Sequence, residues 1–130
     1  MKIENIKFKA KRLDNKEWVC GYFYEENGNT YIIEDRQKDS ALNRNEAVLI
    51  DPSTVCMFTG LRDYEGKEIW EGDIIEGESK FEIVYNKGTF TISFIGYNER
   101  VFSYPLCYYV KEDGAVDGKV VGNKFDKKKK

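Results

Sequence analysis

Lys80-Phe81-Glu82-Ile83-Val84-Tyr85, Asn86-Lys87-Gly88 and Thr89-Phe90-Thr91-Ile92-Ser93-Phe94-Ile95 form the most regular stretch of the chain. Phe81, Ile83 and Tyr85 alternate with Glu82 and Val84. After the turn residues, Phe90, Ile92 and Phe94 alternate with Thr89, Thr91 and Ser93. A period of two places successive side chains on opposite faces, so both runs read as half-buried strands joined by a tight turn.

The same cadence continues on either side. Asp63-Tyr64-Glu65-Gly66-Lys67 reads as a turn, and Ile69-Trp70-Glu71-Gly72-Asp73-Ile74-Ile75 as the strand region that follows it. Downstream, Val101 to Val110 is apolar and aromatic but broken by Pro105, which reads as two edge strands or one bulged strand. Asp113-Gly114 and Asp117-Gly118 mark turns before a last short strand, Lys119 to Phe125. Five short strands in about sixty residues have the rhythm of a small SH3-like barrel. The expected fold is therefore mainly β: an N-terminal β segment over 1–59 and an SH3-like barrel over 60–126, with a basic tail at 127–130. The boundary is drawn near Gly60.

In the N-terminal part, Glu17 to Tyr24 reads as a strand. Asn27-Gly28 is a strong hairpin signal, because a type I′ turn needs positive φ at both central residues. Thr30 to Glu34 is the return strand. Arg36 to Glu46 is polar and unpatterned, a loop or one short helix. Ala47 to Ile50 is apolar and stops at Asp51-Pro52, where a turn or helix start is expected.

Composition narrows function more than it names one. The 130 residues include no histidine, which removes the imidazole base, the Ser/His and Cys/His dyads and nearly all catalytic zinc sites. Cys20, Cys56 and Cys107 are odd in number and lack a CxxC spacing, so they read as small buried or half-buried hydrophobes. No apolar run reaches the roughly 20 residues of a membrane span, and the N-terminus lacks the apolar core of a signal peptide. The expected location is the cytoplasm, without membrane contact.

The net charge of −2 conceals a partition. Residues 1–16 carry six basic and two acidic side chains, and residues 119–130 carry six and one. The intervening 17–118 carries nine basic against twenty acidic. An acidic body between basic ends repels phosphate everywhere but at its termini.

The acids Asp63, Glu65, Glu68, Glu71, Asp73, Glu76, Glu78 and Glu82 do not follow a calcium-loop pattern, and read as solvated turns and outward strand faces. Gly114 to Val120 is one residue short of a phosphate loop, has valine where Mg²⁺ binding needs a hydroxyl, and contains Asp117. Serine motifs for acyl transfer are absent. Lys7, Lys9, Lys11 and Arg12 alternate with Phe8 and Ala10, which on a strand would set the charges on one face as phosphate contacts. Lys127 to Lys130 would add to them or form a solvated tail. Phe102, Tyr104, Tyr108 and Tyr109 exceed what one strand face hides and are candidates for a protein interface.

Three stretches resemble the YopX-like family of bacteriophage and prophage proteins. They are Ile6 to Arg12 with Asn15 to Gly21, Ile50 to Asp63 continuing through Gly66 to Ile75, and Val120-Val121-Gly122-Asn123. The resemblance implies small proteins of phages and integrated prophages, located in the cytoplasm of the bacterial host, mainly β with a C-terminal SH3-like barrel and with a loop, 27–47 here, that varies within the family. It brings no catalytic residues to carry over. Within the middle stretch, Gly60, Gly66 and Gly72 fit backbone shapes closed to other residues, and Trp70 anchors its strand. Asp73 is placed to accept hydrogen bonds from turn amides.

Together these readings lead us to expect a non-enzymatic binding or assembly module with no cofactor and no metal. Its partner would be a second copy of itself or another phage or host protein. The alternative is a nucleic-acid-associated accessory protein that uses its basic termini.

Overall fold

In the computed structural model, which describes residues 2–34, 46–94 and 103–126, every regular element is a strand or a single turn of 3-10 helix. The mainly β expectation holds. The chain divides into two compact units, Met1–Met57 and Phe58–Lys130.

In the first unit β1 (Phe8–Lys11), β2 (Trp18–Glu26), β3 (Asn29–Glu34) and β4 (Glu46–Leu49) follow one another as antiparallel neighbours. Asn27 and Gly28 both take positive φ, 52° and 82°, and Glu26 faces Asn29 across them, which is the two-residue hairpin their chemistry favours. Beyond β4 the chain curls back onto the end of β1. Ile50 bridges Arg12, the Asp51 amide donates to the Lys11 carbonyl at 2.9 Å, and the Leu13 amide donates to that of Leu49 at 3.2 Å. One face of the curled sheet packs Ala10, Val19, Ile32, Val48 and Ile50, with Phe8 and Val55 against them. Asp51 then caps the 3-10 turn Pro52–Thr54 by accepting from the Ser53 amide at 3.0 Å. The Ser53 hydroxyl and amide together hold the Asp51 carboxyl below its ordinary pKa.

β5 (Cys56–Asp63) contains the division between the units. Cys56 and Met57 face Lys9 and Phe8 of β1, whereas from Phe58 onward its antiparallel partner is β6 (Glu68–Trp70). The division thus falls where β5 changes partner, three residues before Gly60.

The second unit continues with β7 (Asp73–Glu76), β8 (Lys80–Asn86), β9 (Thr89–Phe94), β10 (Ser103–Pro105), β11 (Ala115–Val116) and β12 (Lys119–Asn123). Five of these form an antiparallel sheet in the order β10-β9-β8-β7-β12, while β11 lies parallel to β5. Ile69, Ile75, Phe81, Ile83, Ile92, Leu106 and Val116 make its core.

One strand expectation is corrected. After β10 the chain forms a 3-10 turn, Leu106–Tyr109, in place of a second edge strand. Pro105 has no amide to continue a ladder, and the turn drives Leu106 into the core at 3% exposure. The stretch 36–46 that read as loop or helix lies outside the described residues except for Glu46, the first residue of β4.

Candidate functional site

Gly60, Gly66 and Gly72 have φ of +83°, +85° and +84°. At Gly72 the conformation has a clear purpose: its amide donates to the Ile83 carbonyl at 2.7 Å and its carbonyl accepts from Lys124 at 2.9 Å. A side chain there would also press on Asn123, whose amide group lies 3.2 Å from the position of a Cβ.

Asn123 is the centre of a buried cluster. Its Nδ2 donates to Asp73 Oδ1 at 2.9 Å and to the Glu71 carbonyl at 3.1 Å, while its Oδ1 accepts from the Phe125 amide at 3.0 Å. Asp73 Oδ2 accepts from the Trp70 amide at 2.8 Å. Trp70 is 7% exposed and its ring packs on Phe58, 5.2 Å between centroids.

Asp63 does comparable work at the other end of β5. Oδ1 accepts from the amides of Glu65 (2.9 Å) and Lys67 (2.8 Å), shaping the turn before β6. Oδ2 accepts from Val120 at 2.9 Å, tying that turn to the start of β12. Both carboxylates are 2% exposed and are committed to N–H donors, so neither is free for acid–base work. Asp63→Ala leaves three amides to find water or go unpaired, and we expect a loss of about 2 kcal/mol in urea unfolding. An unchanged midpoint would contradict this role. Among the described residues no group of three or more Cys, Asp or Glu is placed to hold a metal ion.

The segment with a faint phosphate-loop spacing is likewise spent internally. The Gly114 amide donates to the Lys111 carbonyl, Ala115 to the Asp113 carboxylate, Asp117 to the Tyr109 carbonyl and Val120 to Asp63.

The predicted basic set divides. Lys9 and Lys11 share the face of β1 that points away from the first unit's core, and their ammonium groups lie 4.6 and 5.2 Å from the centre of the Trp18 ring. Arg12 leaves the set. It bridges Ile50 on the opposite alternation, and its guanidinium holds both oxygens of Asp14 at 2.9 Å. That hydrogen-bonded pair raises the pKa of Arg12 and lowers that of Asp14. Strand periodicity explains the split, since residues 9 and 11 share a face and residue 12 does not.

The predicted aromatic set divides too. Tyr104 is 41% and Tyr108 74% exposed, but Tyr109 packs on Phe81 with centroids 5.7 Å apart. Tyr109, Phe81 and Phe94 line a cavity of about 250 Å³ whose other walls are Gly77, Glu78, Ser79 and Asp117. Tyr104 stands edge-on to Phe94 at 6.1 Å. Phe102 lies outside the described residues, as do Lys127 to Lys130.

The cysteines depart from expectation. Cys56 is buried, but Cys20 and Cys107 are exposed. Cys20 lies on the outward face of β2 opposite Lys9, and Cys107 on the surface of the 3-10 turn.

Sequence reasoning missed a surface of the first unit. Register places Lys9, Lys11, Trp18, Cys20, Tyr22, Tyr24, Tyr31, Ile33, Ala47 and Leu49 on the sheet face opposite the core. The alternation of Trp18, Cys20, Tyr22 and Tyr24 was a visible signal, but it names a face only once Val19 and Ile32 are known to point inward.

Among the described residues, strand pairing, buried carboxylates that accept from N–H donors and aromatic surfaces define a small protein built mainly of β structure. Its family follows from comparison: the family model described as YopX protein matches residues 2–127, and the chain belongs to that family. Among curated proteins none matches it. Among the described residues no helix is long and apolar enough to cross a membrane.

Proposed function

We propose that this protein is a non-enzymatic assembly module that binds a second copy of itself through the tyrosine-bearing edge of the second unit, on a scaffold of the SH3-like kind. The observation that carries the reading is Tyr104 and Tyr108, exposed beside the aromatic cavity of Phe81, Phe94 and Tyr109. Tyrosines in that setting bury area and keep a polar tip, at little entropic cost. Charge supports a like partner. Glu78 and Asp117 edge the cavity, and residues 1–16 and 119–130 of the same chain are basic, so one copy offers what the other's acidic body attracts.

Light scattering after gel filtration tests this over a range of concentrations. A dimer mass is expected at about 50 mM salt, with partial dissociation at about 500 mM as the charges are screened. The double variant Tyr104→Ala, Tyr108→Ala should weaken association at least about tenfold. A monomer at every concentration in low salt, or a dimer indifferent to the double variant, overturns the proposal.

A further inference from the structure

We infer that the outward sheet face of the first unit binds single-stranded nucleic acid, with bases stacking on its tyrosines and phosphates meeting its lysines. The face is built by register. Lys11 lies opposite Trp18 and Lys9 opposite Cys20; Tyr22 lies opposite Ile33, and Tyr24 opposite Tyr31. Four aromatic side chains therefore share one surface of two adjacent strands. Tyr22 is 42% exposed, and Tyr24 and Tyr31 form an offset-stacked pair with centroids 5.1 Å apart and planes 19° from parallel.

Charge selects the occupant. The whole chain is net acidic, yet the strand residues of this face carry Lys9 and Lys11, and the acid among them is Glu26 beside the hairpin turn. Lys7 borders the same side: it lines a shallow depression with Trp18, Cys20 and Tyr22, whose acidic edge is Glu4 and Glu34. Aromatic surface beside a short lysine row matches how sequence-tolerant single-strand binders work, with stacking supplying affinity and lysines tracking the backbone. A duplex hides its base faces and offers phosphates alone, so the face should prefer single strands. The lysines approach the Trp18 ring, which leaves Tyr22, Tyr24 and Tyr31 as the stacking positions. This surface uses none of the residues of the tyrosine edge of the second unit.

Fluorescence anisotropy with labelled 12-residue oligo-dT, oligo-rU and a duplex of equal length tests the inference. Both single strands should bind at about 50 mM salt, at least about tenfold more tightly than the duplex. Tyr22→Ala should weaken binding about fivefold or more, while Tyr22→Phe, which keeps the ring, should leave it within twofold. The double variant Lys9→Gln, Lys11→Gln should reduce the slope of log affinity against log salt by about 1.4, the value for two phosphates on a single strand. It also keeps the test decisive if Tyr22→Ala fails to fold. Preference for RNA over DNA, or the reverse, would identify which strand is the ligand. Equal binding of duplex and single strands, an unaltered affinity in Tyr22→Ala, or binding lost on removing Lys127 to Lys130 but retained without Lys9 and Lys11, each overturns it.

Discussion

Gly21→Ala is expected to destabilise the first unit by at least about 3 kcal/mol, enough to consume a large part of a small domain's stability. Gly21 faces Phe8 of β1 on one side and Glu34 of β3 on the other, so it belongs to two ladders at once. A Cβ built at this position falls into the backbone carbonyl of Ile33, with the Glu34 Cα 3.2 Å away. The obstacle is main chain, which cannot swing aside as a side-chain tip can. Relief requires β3 to move off β2, and that withdraws Ile32 from its place among Ala10, Val19 and Val48. Gly28→Ala is the natural control: φ is +82° but nothing lies within 4 Å of its Cβ position, so only the left-handed backbone is strained, at about 1 kcal/mol. Urea unfolding followed by Trp18 fluorescence in a Trp70→Phe background reads the first unit separately. Two variants with equal midpoints would show that the close approach costs nothing.

The contrast between those glycines shows what a sequence discloses. Asn27-Gly28 was legible because a two-residue hairpin states its own requirement locally. Gly21 was quotable as part of a family motif, but the carbonyl that forbids a side chain belongs to Ile33, on another strand. The same distinction runs through the second unit. The alternation in β8 and β9 identified strands correctly, since periodicity is a local property. Thr91, assigned to the polar side, is nevertheless 8% exposed, because its hydroxyl donates to the Val84 carbonyl at 3.1 Å. A hydrogen bond across a ladder hides a polar side chain that period alone would leave in water. Tyr108 and Tyr109 were indistinguishable in sequence and are separated by the 3-10 turn, which sends one ring outward and the other onto Phe81. Asp63 and Val120 are 57 positions apart, a pairing that no local pattern encodes.

Asp73→Ala should be the most damaging single change in the second unit, at about 3–5 kcal/mol. It strips the acceptor from the Trp70 amide and from Asn123 Nδ2 together, and at 2% exposure water is poorly placed to replace either. Trp70 is then released from the turn that presents it to Phe58, so packing is lost along with hydrogen bonds. Asp73→Asn separates the causes. It preserves volume and one acceptor oxygen, but turns an NH₂ toward a donor, either the Trp70 amide or Asn123, and we expect about half the loss. Asn123→Ala removes the bond to Asp73, those with the Glu71 carbonyl and the Phe125 amide, and the contact with Gly72, so its cost overlaps with that of Asp73→Ala in the bond they share. A double-mutant cycle should therefore give a coupling of about 1–2 kcal/mol, with the double variant less damaged than the sum. Strict additivity would mean that Asp73 and Asn123, 50 positions apart, act independently. The cluster would then be two separate turn supports. A large coupling would instead establish that the ladder between β7 and β12 is locked at its Asp73–Asn123 end by one cooperative cluster, where the middle and closing stretches of the family resemblance converge.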